Sequence, residues 1–414
     1  MSGVPSISVE ALGARETEPI LYREKRTCSV CRSPNLVLAA EMPNLPLTGV
    51  FLEAPASTRN AYCYDQGLSV CAVCGHAQLS RCLAPEAVYD QTYFHRSSAS
   101  NIAKAGNDAF AEFVRTVVGA RKFKCFLEIG ANDLYLINKI RDLADAAIGV
   151  DPIWKQDEPP VVPGVSVLGK FVEEINVSDM PGAPDLLVSV QTFEHIDEPM
   201  QQLSRMVELA ADGAMIFLEV PGFDALLRNL RFDQVFHQHI QYFSLASMLR
   251  LIEELGCSYV AHSINHRYWG GALGVAFQKG KATSTTQTPT VVKPDPASVT
   301  RRYTTFRAQM QELMYQIEQC PTEEIYGFGA AQMVPTLAYH MQSDLGFLAA
   351  ILDDDPRRDG LYYPSLAVQT KLPVQGMSMR NAAALVTAVD SARPIIGRLI
   401  ELNPQHVMIP FATV

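Results

Sequence analysis

The chain has 414 residues, of which 48% are hydrophobic and 19% are charged, and its formal net charge at pH 7 is −10. This length predicts two or three domains, and the composition argues against a disordered chain. The acidic balance argues against a nucleic-acid binder, which needs a basic surface. No run approaches the roughly eighteen apolar residues of a membrane-spanning helix, and the N-terminus lacks the pattern of a signal peptide.

Changes in composition predict how the chain is divided. We expect a tail over residues 1–20, a cysteine-rich domain over 21–100 and an α/β domain over 101–280. A Thr-, Ser- and Pro-rich linker or surface loop follows over 281–300, and a second α/β unit over 301–414. Apolar residues at helical spacing predict that a helix begins the last unit: Phe306, Met310, Leu313, Met314 and Ile317.

Two CxxC pairs predict a metal site, with Cys28 and Cys31 in the first and Cys71 and Cys74 in the second. Each pair places two thiolates on one tight turn, which suits two corners of a zinc tetrahedron. We therefore predict a structural Zn²⁺ with four thiolate ligands; four unligated cysteines are the alternative. Other possible ligands lie close by: Cys63, Cys82 and His76. The odd total of nine cysteines favours a reducing compartment and hence a cytoplasmic location.

A strand, a glycine turn and a helix follow one another at the start of the α/β domain. The strand Cys125–Ile129 leads into Gly130, the helix is expected from Leu134 onward, and the next strand ends in Asp151. In such units the glycine lets the backbone approach a ligand and the acid accepts hydrogen bonds from ribose hydroxyls. Because the turn is not GxGxxG, S-adenosylmethionine fits better than NAD, with a purely structural turn as the alternative. The cofactor-binding candidates here are Glu128, Gly130, Asn132, Asp133 and Asp151.

A later strand ends in Gln191, and Glu194 and His195 follow it. Open parallel sheets bind ligands at the carboxyl ends of their strands, so Gln191 and Glu194 join the cofactor-binding candidates. Two closing strands are expected to meet near Gly270 and Gly271. This order of elements is that of a class I methyltransferase domain.

Two histidines, His237 and His239, alternate within residues 231–244. Alternating residues of an extended segment share a face, so both side chains are expected to point the same way. A neutral imidazole near pH 7 can take a proton from a carbon acid. A structural role is one alternative. A metal site is another, although no third ligand follows at a useful spacing.

Together these features resemble the sugar C-methyltransferases that act on nucleotide-linked 4-keto-6-deoxy sugars, over nearly the whole chain. The resemblance rests on the CxxC pairs and on segments 93–100, 128–133, 194–195, 237–244, 270–271 and 326–329. It implies an α/β fold: a class I (Rossmann-like) methyltransferase domain flanked by a small zinc-binding β domain and a C-terminal Rossmann-like α/β domain. The methyltransferase domain and the C-terminal domain would enclose the nucleotide sugar.

The resemblance also implies a reaction, in which the keto sugar enolises and is methylated at the carbon beside the carbonyl. A base needs help from groups that stabilise the enolate oxygen, and the methyl donor must lie in line with the carbanion. Our candidate base is His239. The other catalytic candidates are His237, His195, Tyr242 and His95. The substrate-binding candidates are Tyr93, Ser97, Ser98, His266, Gly270 and Gly271.

The chain departs from the family at the proposed catalytic segment. The family usually has tyrosine and glutamate where this chain has Phe236 and Gln238, and glycine where it has Leu134. His95 stands where the family often has a second tyrosine. A protein that binds the sugar without methyl transfer is therefore one alternative function.

The C-terminal unit offers another alternative, because Gly327 and Gly329 lie between two predicted strands and Asp353 ends the second. This resembles a dinucleotide fingerprint without its third glycine, so an NAD-binding oxidoreductase or epimerase is possible. We otherwise expect the strand end 353–355, with its three aspartates, to be solvated and the neighbouring Arg357 and Arg358 to be exposed. The sequence does not specify the nucleotide, the sugar or the oligomeric state.

Overall fold

The N-terminal part of the chain forms an antiparallel sheet beside a two-stranded ribbon. The computed structural model describes residues 22–56, 62–84, 88, 100–155, 157–280 and 287–411. The first strands are β1 (Tyr22–Glu24), β2 (Leu36–Pro46), β3 (Cys63–Cys71), β4 (Ala77–Leu79) and β5 (Arg81–Leu83). Strand β3 pairs with β2 on one side and with β4 on the other, and β1 pairs with β5.

The central part forms a seven-stranded sheet. Its strands are β6 (Phe123–Ile129), β7 (Ala144–Val150), β8 (Val165–Leu168), β9 (Leu186–Val190), β10 (Met215–Pro221), β12 (Ser258–Asn265) and β13 (Ala272–Gln278). Their order is β12-β13-β10-β9-β6-β7-β8, and only β13 runs against the others. This is the class I methyltransferase arrangement, and it confirms the predicted fold class of this domain.

Helices cover both faces of this sheet, which explains why β9 is buried along its whole length. They are α1 (Asn101–Val118), α2 (Tyr135–Ile140), α3 (Pro199–Leu209), α4 (Phe223–Asn229) and α5 (Leu245–Glu254). Helix α1 begins where the Ser100 side chain accepts a hydrogen bond from the backbone N–H of Ala103. No helix within the described ranges is long and apolar enough to cross a membrane.

The C-terminal part contains a second parallel sheet, ordered β16-β15-β14-β17-β18. Its strands are β14 (Glu324–Phe328), β15 (Ile351–Leu352), β16 (Thr370–Lys371), β17 (Ala382–Val386) and β18 (His406–Met408), and its helices are α6 (Pro296–Glu318), α7 (Val334–Met341) and α8 (Ala392–Leu402). Helix α6 begins within the predicted linker, because Asp295 caps its N-terminus. The predicted stripe is confirmed: Phe306, Met310, Leu313 and Ile317 are buried, and Met314 is partly buried.

The N-terminal sheet is shared with the central domain. Strand β11 (Gln241–Tyr242) follows the segment that contains His237 and His239, here called the histidine segment. It pairs with β4, which gives the sheet order β11-β4-β3-β2. The same sheet packs against the C-terminal domain in one apolar core that includes Leu45, Phe306 and Leu337. The histidine segment is thus held by a sheet formed mainly by the N-terminal residues.

Candidate active site and metal centre

The four CxxC cysteines converge. The Sγ atoms of Cys28 and Cys74 lie 3.5 Å apart, those of Cys31 and Cys71 lie 3.6 Å apart, and all four lie within 4.8 Å of one another. Thiolates around a tetrahedral zinc ion with bonds of ~2.3 Å are ~3.8 Å apart. The cluster therefore fits a structural zinc ion with four thiolate ligands.

The three alternative ligands lie outside this cluster. Nε2 of His76 lies 2.9 Å from Oε1 of Gln241, and the Cys82 thiol donates to Asp197. Cys63 opens β3, at the opposite end from Cys71. His76 is fully buried, and this burial lowers its pKa to about 4. Its imidazole is therefore neutral and packs inside the domain beside the cysteines.

The glycine turn connects β6 to α2 in a conformation that side chains disfavour. Gly130 has φ of +75°, and a Cβ added there would lie 2.2 Å from Oγ1 of Thr192. Glycine is required at this position both by the left-handed backbone and by the neighbouring threonine. The backbone of the turn can consequently lie directly against a ligand at the carboxyl end of β6.

Leu134 also adopts a left-handed conformation, with φ of +64°, and α2 begins one residue later, at Tyr135. The prediction that the helix starts at Leu134 is therefore wrong by one residue. This backbone conformation explains why glycine suits the position. The leucine side chain is buried against β7, where its Cδ2 lies 2.9 Å from a Cβ placed on Gly149.

Asp151 lies at the end of β7, beside the glycine turn. Its Oδ2 accepts a hydrogen bond from the backbone N–H of Asn132 at 2.8 Å, and its Oδ1 accepts one from Ile153. Trp154 donates its indole N–H to the carbonyl of Asn132. The acid is thus fixed next to the turn, as a residue that contacts ribose hydroxyls would be.

Two buried acceptor atoms near the turn lack hydrogen-bond donors in the described part of the chain. They are Oε2 of Glu128 and Oε1 of Gln191. Burial raises the pKa of Glu128 well above its usual range. These acceptors and the space that the absent Cβ of Gly130 leaves fit a ligand that carries donors, such as the ammonium and hydroxyl groups of S-adenosylmethionine.

His239 and His195 meet at the carboxyl end of β9, where their ring centroids are 4.8 Å apart. Phe236 packs against His239 with a centroid distance of 4.1 Å, and Trp269 lies 5.2 Å from it. Burial, and secondarily the charge of His195, lower the pKa of His239 well below its usual value. The His239 imidazole is therefore neutral at pH 7 and can accept a proton.

Glu194 is buried beside the two histidines. Its Oε1 lies 4.0 Å from Nε2 of His195, and neither carboxyl oxygen has a donor within the described residues. Burial raises the pKa of Glu194 to about 8, with the nearby Glu219 adding to the effect. The carboxyl end of β9 is thus followed by a carboxyl group that a ligand can contact.

His237 and His239 do not share a face, which corrects the sequence prediction. Residues 237 and 238 form a turn, and Nε2 of His237 lies 3.0 Å from the carbonyl oxygen of Leu45 in the N-terminal sheet. Its Nδ1 lies 3.3 Å from Nε2 of Gln66. His237 therefore contacts β2 and β3, whereas His239 points towards His195.

Gln238 and Tyr242 are also engaged by neighbouring backbone. The Gln238 amide donates to the Thr48 carbonyl at 2.9 Å, and the Thr48 hydroxyl donates back to Gln238 at 2.8 Å. The hydroxyl of Tyr242 accepts from the backbone N–H of Phe236 and donates to the carbonyl of Gln234. A glutamate at 238 would place a carboxylate against a carbonyl oxygen, so Thr48 favours the amide. No sequence signal indicated the role of Thr48.

The remaining substrate-binding candidates are spread over two regions. Gly270 and Gly271 have φ of +67° and +150° and connect β12 to β13, as predicted, while His266 is exposed. The carbonyl of Gly270 accepts a hydrogen bond from Asn229. The other substrate-binding candidates, Tyr93, Ser97 and Ser98, lie outside the described residues, and so does the catalytic candidate His95.

The acid of the C-terminal sheet is not solvated, contrary to the sequence prediction. Oδ2 of Asp353 accepts hydrogen bonds from the backbone N–H of Ala330 at 2.6 Å and from Arg358 at 3.0 Å. Arg358 also donates to the carbonyl of Ala330, so it is not simply exposed. The side chain of Arg357 is exposed, as predicted.

Comparisons with known proteins match two regions of the chain. A model described as "Putative zinc binding domain" matches residues 28–89, and a model described as "Methyltransferase domain" matches residues 100–262. The C-methyltransferase NovU of Streptomyces niveus is 25% identical over 232 residues, which make up 55% of each protein. The chain thus spans about half the length of this curated relative.

Two methyltransferases are among the solved structures that are similar to this chain. The N-methyltransferase NodS from Bradyrhizobium japonicum WM9, in complex with S-adenosyl-L-homocysteine, is 12% identical with a TM-score of 0.34, covering 47% of this chain and 94% of that protein. A possible histamine N-methyltransferase from Thermotoga maritima is 15% identical with a TM-score of 0.35, covering 44% and 91%. With its methyltransferase domain, its zinc-binding domain and a C-methyltransferase relative, the chain fits the S-adenosylmethionine-dependent C-methyltransferase family that its sequence resembles.

Proposed function

We propose that the protein transfers a methyl group from S-adenosylmethionine to a nucleotide-linked 4-keto-6-deoxy sugar, at the carbon beside the ketone. The product would be a branched-chain deoxysugar. The observation that supports this proposal best is the position of His239. It is a buried, neutral imidazole at the carboxyl end of the methyltransferase sheet, where the Gly130 turn also lies.

Each group in the proposed mechanism has a residue suited to hold it. S-adenosylmethionine supplies an electrophilic methyl group when bound. The backbone at Gly130 would lie against this cofactor, Asp151 would accept hydrogen bonds from its ribose, and Gln191 and Glu194 would provide further acceptors. The four cysteines hold a zinc ion that stabilises the N-terminal domain and takes no part in the chemistry.

His239 removes the proton beside the ketone in this proposal. Its low pKa makes it a weak base, so the enolate oxygen must be stabilised by hydrogen-bond donors. His195 lies next to it and is our candidate for that role in its imidazolium form, because the single N–H of the neutral ring already donates to the carbonyl of Gln238; His95 is the other candidate. We assign His237 and Tyr242 to positioning, because their polar atoms contact neighbouring backbone groups.

A mass-spectrometric assay in heavy water tests the proposal. The protein is given S-adenosylmethionine and a panel of TDP-, GDP- and CDP-linked 4-keto-6-deoxy sugars. Gain of one methyl group, with release of S-adenosylhomocysteine, is expected with one of the nucleotides. Deuterium uptake without methylation would support the sugar-binding alternative, and the absence of both events would contradict the proposal.

The role of His239 has its own test. His239→Ala is expected to abolish exchange of the α-proton of the sugar with solvent and to leave the affinity for S-adenosylhomocysteine within about twofold, because His239 is a base and not a cofactor ligand. His262→Ala is the control, since that histidine lies on β12 and bonds to Tyr259. Unchanged exchange in the His239 variant would move the base to His195, His237 or His95.

A further inference from the structure

Three side chains with metal-binding groups converge at the carboxyl end of β9. One ligand atom from each of Glu194, His195 and His239 lies within 4.8 Å of the other two. The sequence around His237 and His239 shows no third ligand at a useful spacing. The fold supplies the missing ligands from the turn after β9, which is far from His239 along the chain.

The carboxyl group of Glu194 gives independent support for a cation. The residue is only 1% exposed, and neither of its carboxyl oxygens has a hydrogen-bond donor among the residues described. A buried carboxylate is unfavourable unless a proton, a donor or a cation compensates its charge. No side-chain hydrogen bond of Glu194 within the described residues would have to break before its carboxyl group binds an ion.

His195 is oriented as metal-binding histidines usually are. Its Nδ1 lies 2.8 Å from the carbonyl oxygen of Gln238 and donates to it, so Nε2 is the atom that faces Glu194, at 4.0 Å. A hydrogen bond from the second ring nitrogen to a backbone carbonyl fixes the tautomer of such ligands. Phe236 and Trp269 surround His239 with apolar surface, which strengthens electrostatic binding.

We propose that Glu194, His195 and His239 bind a divalent transition-metal ion at a site separate from the four cysteines. Two imidazoles and one carboxylate suit Zn²⁺, Co²⁺ or Fe²⁺ and leave open coordination positions. Ligand atoms around a tetrahedral ion with bonds of ~2.1 Å lie ~3.4 Å apart. The ligand atoms, which lie within 4.8 Å of one another, therefore have to approach by up to ~1.4 Å when an ion binds.

The ion competes with the chemistry proposed above. An imidazole whose lone pair binds a metal cannot accept a proton with that nitrogen. The metal-bound site and the proton-accepting site therefore exclude each other, and added Zn²⁺ is expected to suppress exchange of the sugar's α-proton. The inference goes beyond the proposed function, because binding of the ion requires neither sugar nor methyl donor.

Titration of the zinc-loaded, full-length protein with Co²⁺ tests the site without any activity measurement. The visible absorption of protein-bound Co²⁺ is expected to saturate at one ion per chain, without the thiolate charge-transfer bands that exchange at the cysteines would produce. Glu194→Gln, which keeps the shape of the side chain, should weaken binding more than about 100-fold, the upper end of the loss caused by removing an outer hydrogen-bond partner. His262→Ala should bind Co²⁺ like the wild type.

Two results would overturn the inference. One is that the only Co²⁺ absorption observed comes from Co²⁺ that has replaced zinc at the cysteines. The other is that Glu194→Gln binds Co²⁺ with the same affinity as the wild type. His195→Ala is a second variant with the same expectation, and thermal unfolding shows whether each variant is folded. Since no sugar is present, failure of the proposed methyl transfer would leave this result unaffected, and failure of metal binding would leave the methylation assay unaffected.

Discussion

The two parallel sheets carry acids at their carboxyl ends but surround them differently. At the end of the methyltransferase sheet, Glu194 and Glu219 are buried, and neither pairs with a lysine or arginine of the described residues. At the end of the C-terminal sheet, Asp353 pairs with Arg358 and Asp390 pairs with Arg231, each at 3.0 Å. The first set of carboxyl groups is left for protons or ligands to neutralise, and the second is balanced by the arginines of the chain itself.

The glycine turns show the same difference. In each sheet the acid after the second strand accepts a hydrogen bond from a backbone N–H of the turn: Asp151 from Asn132, and Asp353 from Ala330. In the C-terminal sheet an arginine, Arg358, bonds to both the acid and the turn. A strand, glycine turn and acid therefore do not define a cofactor site by themselves. The NAD-binding alternative loses its main support, because Arg358 occupies the acid that a ribose would need.

The largest expected effect comes from breaking the arginine pairing. Arg231 is buried between Asp233 and Asp390, and bonds to both. Arg231→Met leaves two carboxylates close together without a cation, so the free energy of unfolding should fall by about 3–5 kcal/mol. Urea denaturation measures this change. The control is Arg398→Met, whose exposed ion pairs should contribute less than about 1 kcal/mol. If both variants lose the same free energy of unfolding, the buried arginine does not balance its acids more strongly than an exposed ion pair does.

The next effect separates the two glycine turns. Gly130→Ala places a Cβ 2.2 Å from Thr192, and Gly329→Ala places one 2.3 Å from Ala388, both at positive φ. Both variants should be less stable. Only Gly130→Ala should weaken binding of S-adenosylhomocysteine, by about 100-fold, which is the size of the loss that a misplacement of about 1 Å causes in catalytic rate. Isothermal titration calorimetry on the two folded variants decides, and equal affinities would contradict the assignment of the cofactor site.

A smaller effect is expected from loss of the zinc site. β4 follows Cys74 and pairs with β11, which positions the segment containing His239. Cys71→Ser should lose one zinc ion per chain and reduce α-proton exchange about tenfold or more, while cofactor affinity changes little. Metal analysis and the heavy-water assay measure both quantities. A wild-type protein that folds stably without zinc would exclude a structural metal.

The smallest effect concerns the buried acids that pair with no lysine or arginine of the described residues. Burial raises the pKa of Glu219 to about 8, whereas in the unfolded chain it is about 4.3. Between these pH values the folded state retains a proton that the unfolded state has released, so stability falls as the pH rises through this window. Glu219→Gln removes this loss, and its advantage over the wild type should grow from pH 5 to pH 8 by about 1 kcal/mol or more. Thermal unfolding across this range measures it, with the exposed Glu312→Gln as control.

Sequence patterns predicted the features that depend on local structure. The strands, the glycine turn and the closing hairpin at Gly270 follow from apolar runs and permissive residues, and each is present. The different directions of His237 and His239 could not be predicted, because they result from contacts with Leu45 and the rest of the N-terminal sheet. Likewise, an arginine that balances an acid is recognised only when the fold brings the two together.

The pairing of β4 with β11 also affects the way in which the protein is made. His76 and Gln241, which bond across these strands, are 165 residues apart in the chain. At a synthesis rate of roughly 5–20 residues per second, the edge of β4 emerges from the ribosome roughly 10–30 s before its partner strand. An unpaired strand edge can form hydrogen bonds with strands of other chains. Because β4 has only three residues, it exposes few unpaired backbone groups before β11 is synthesised.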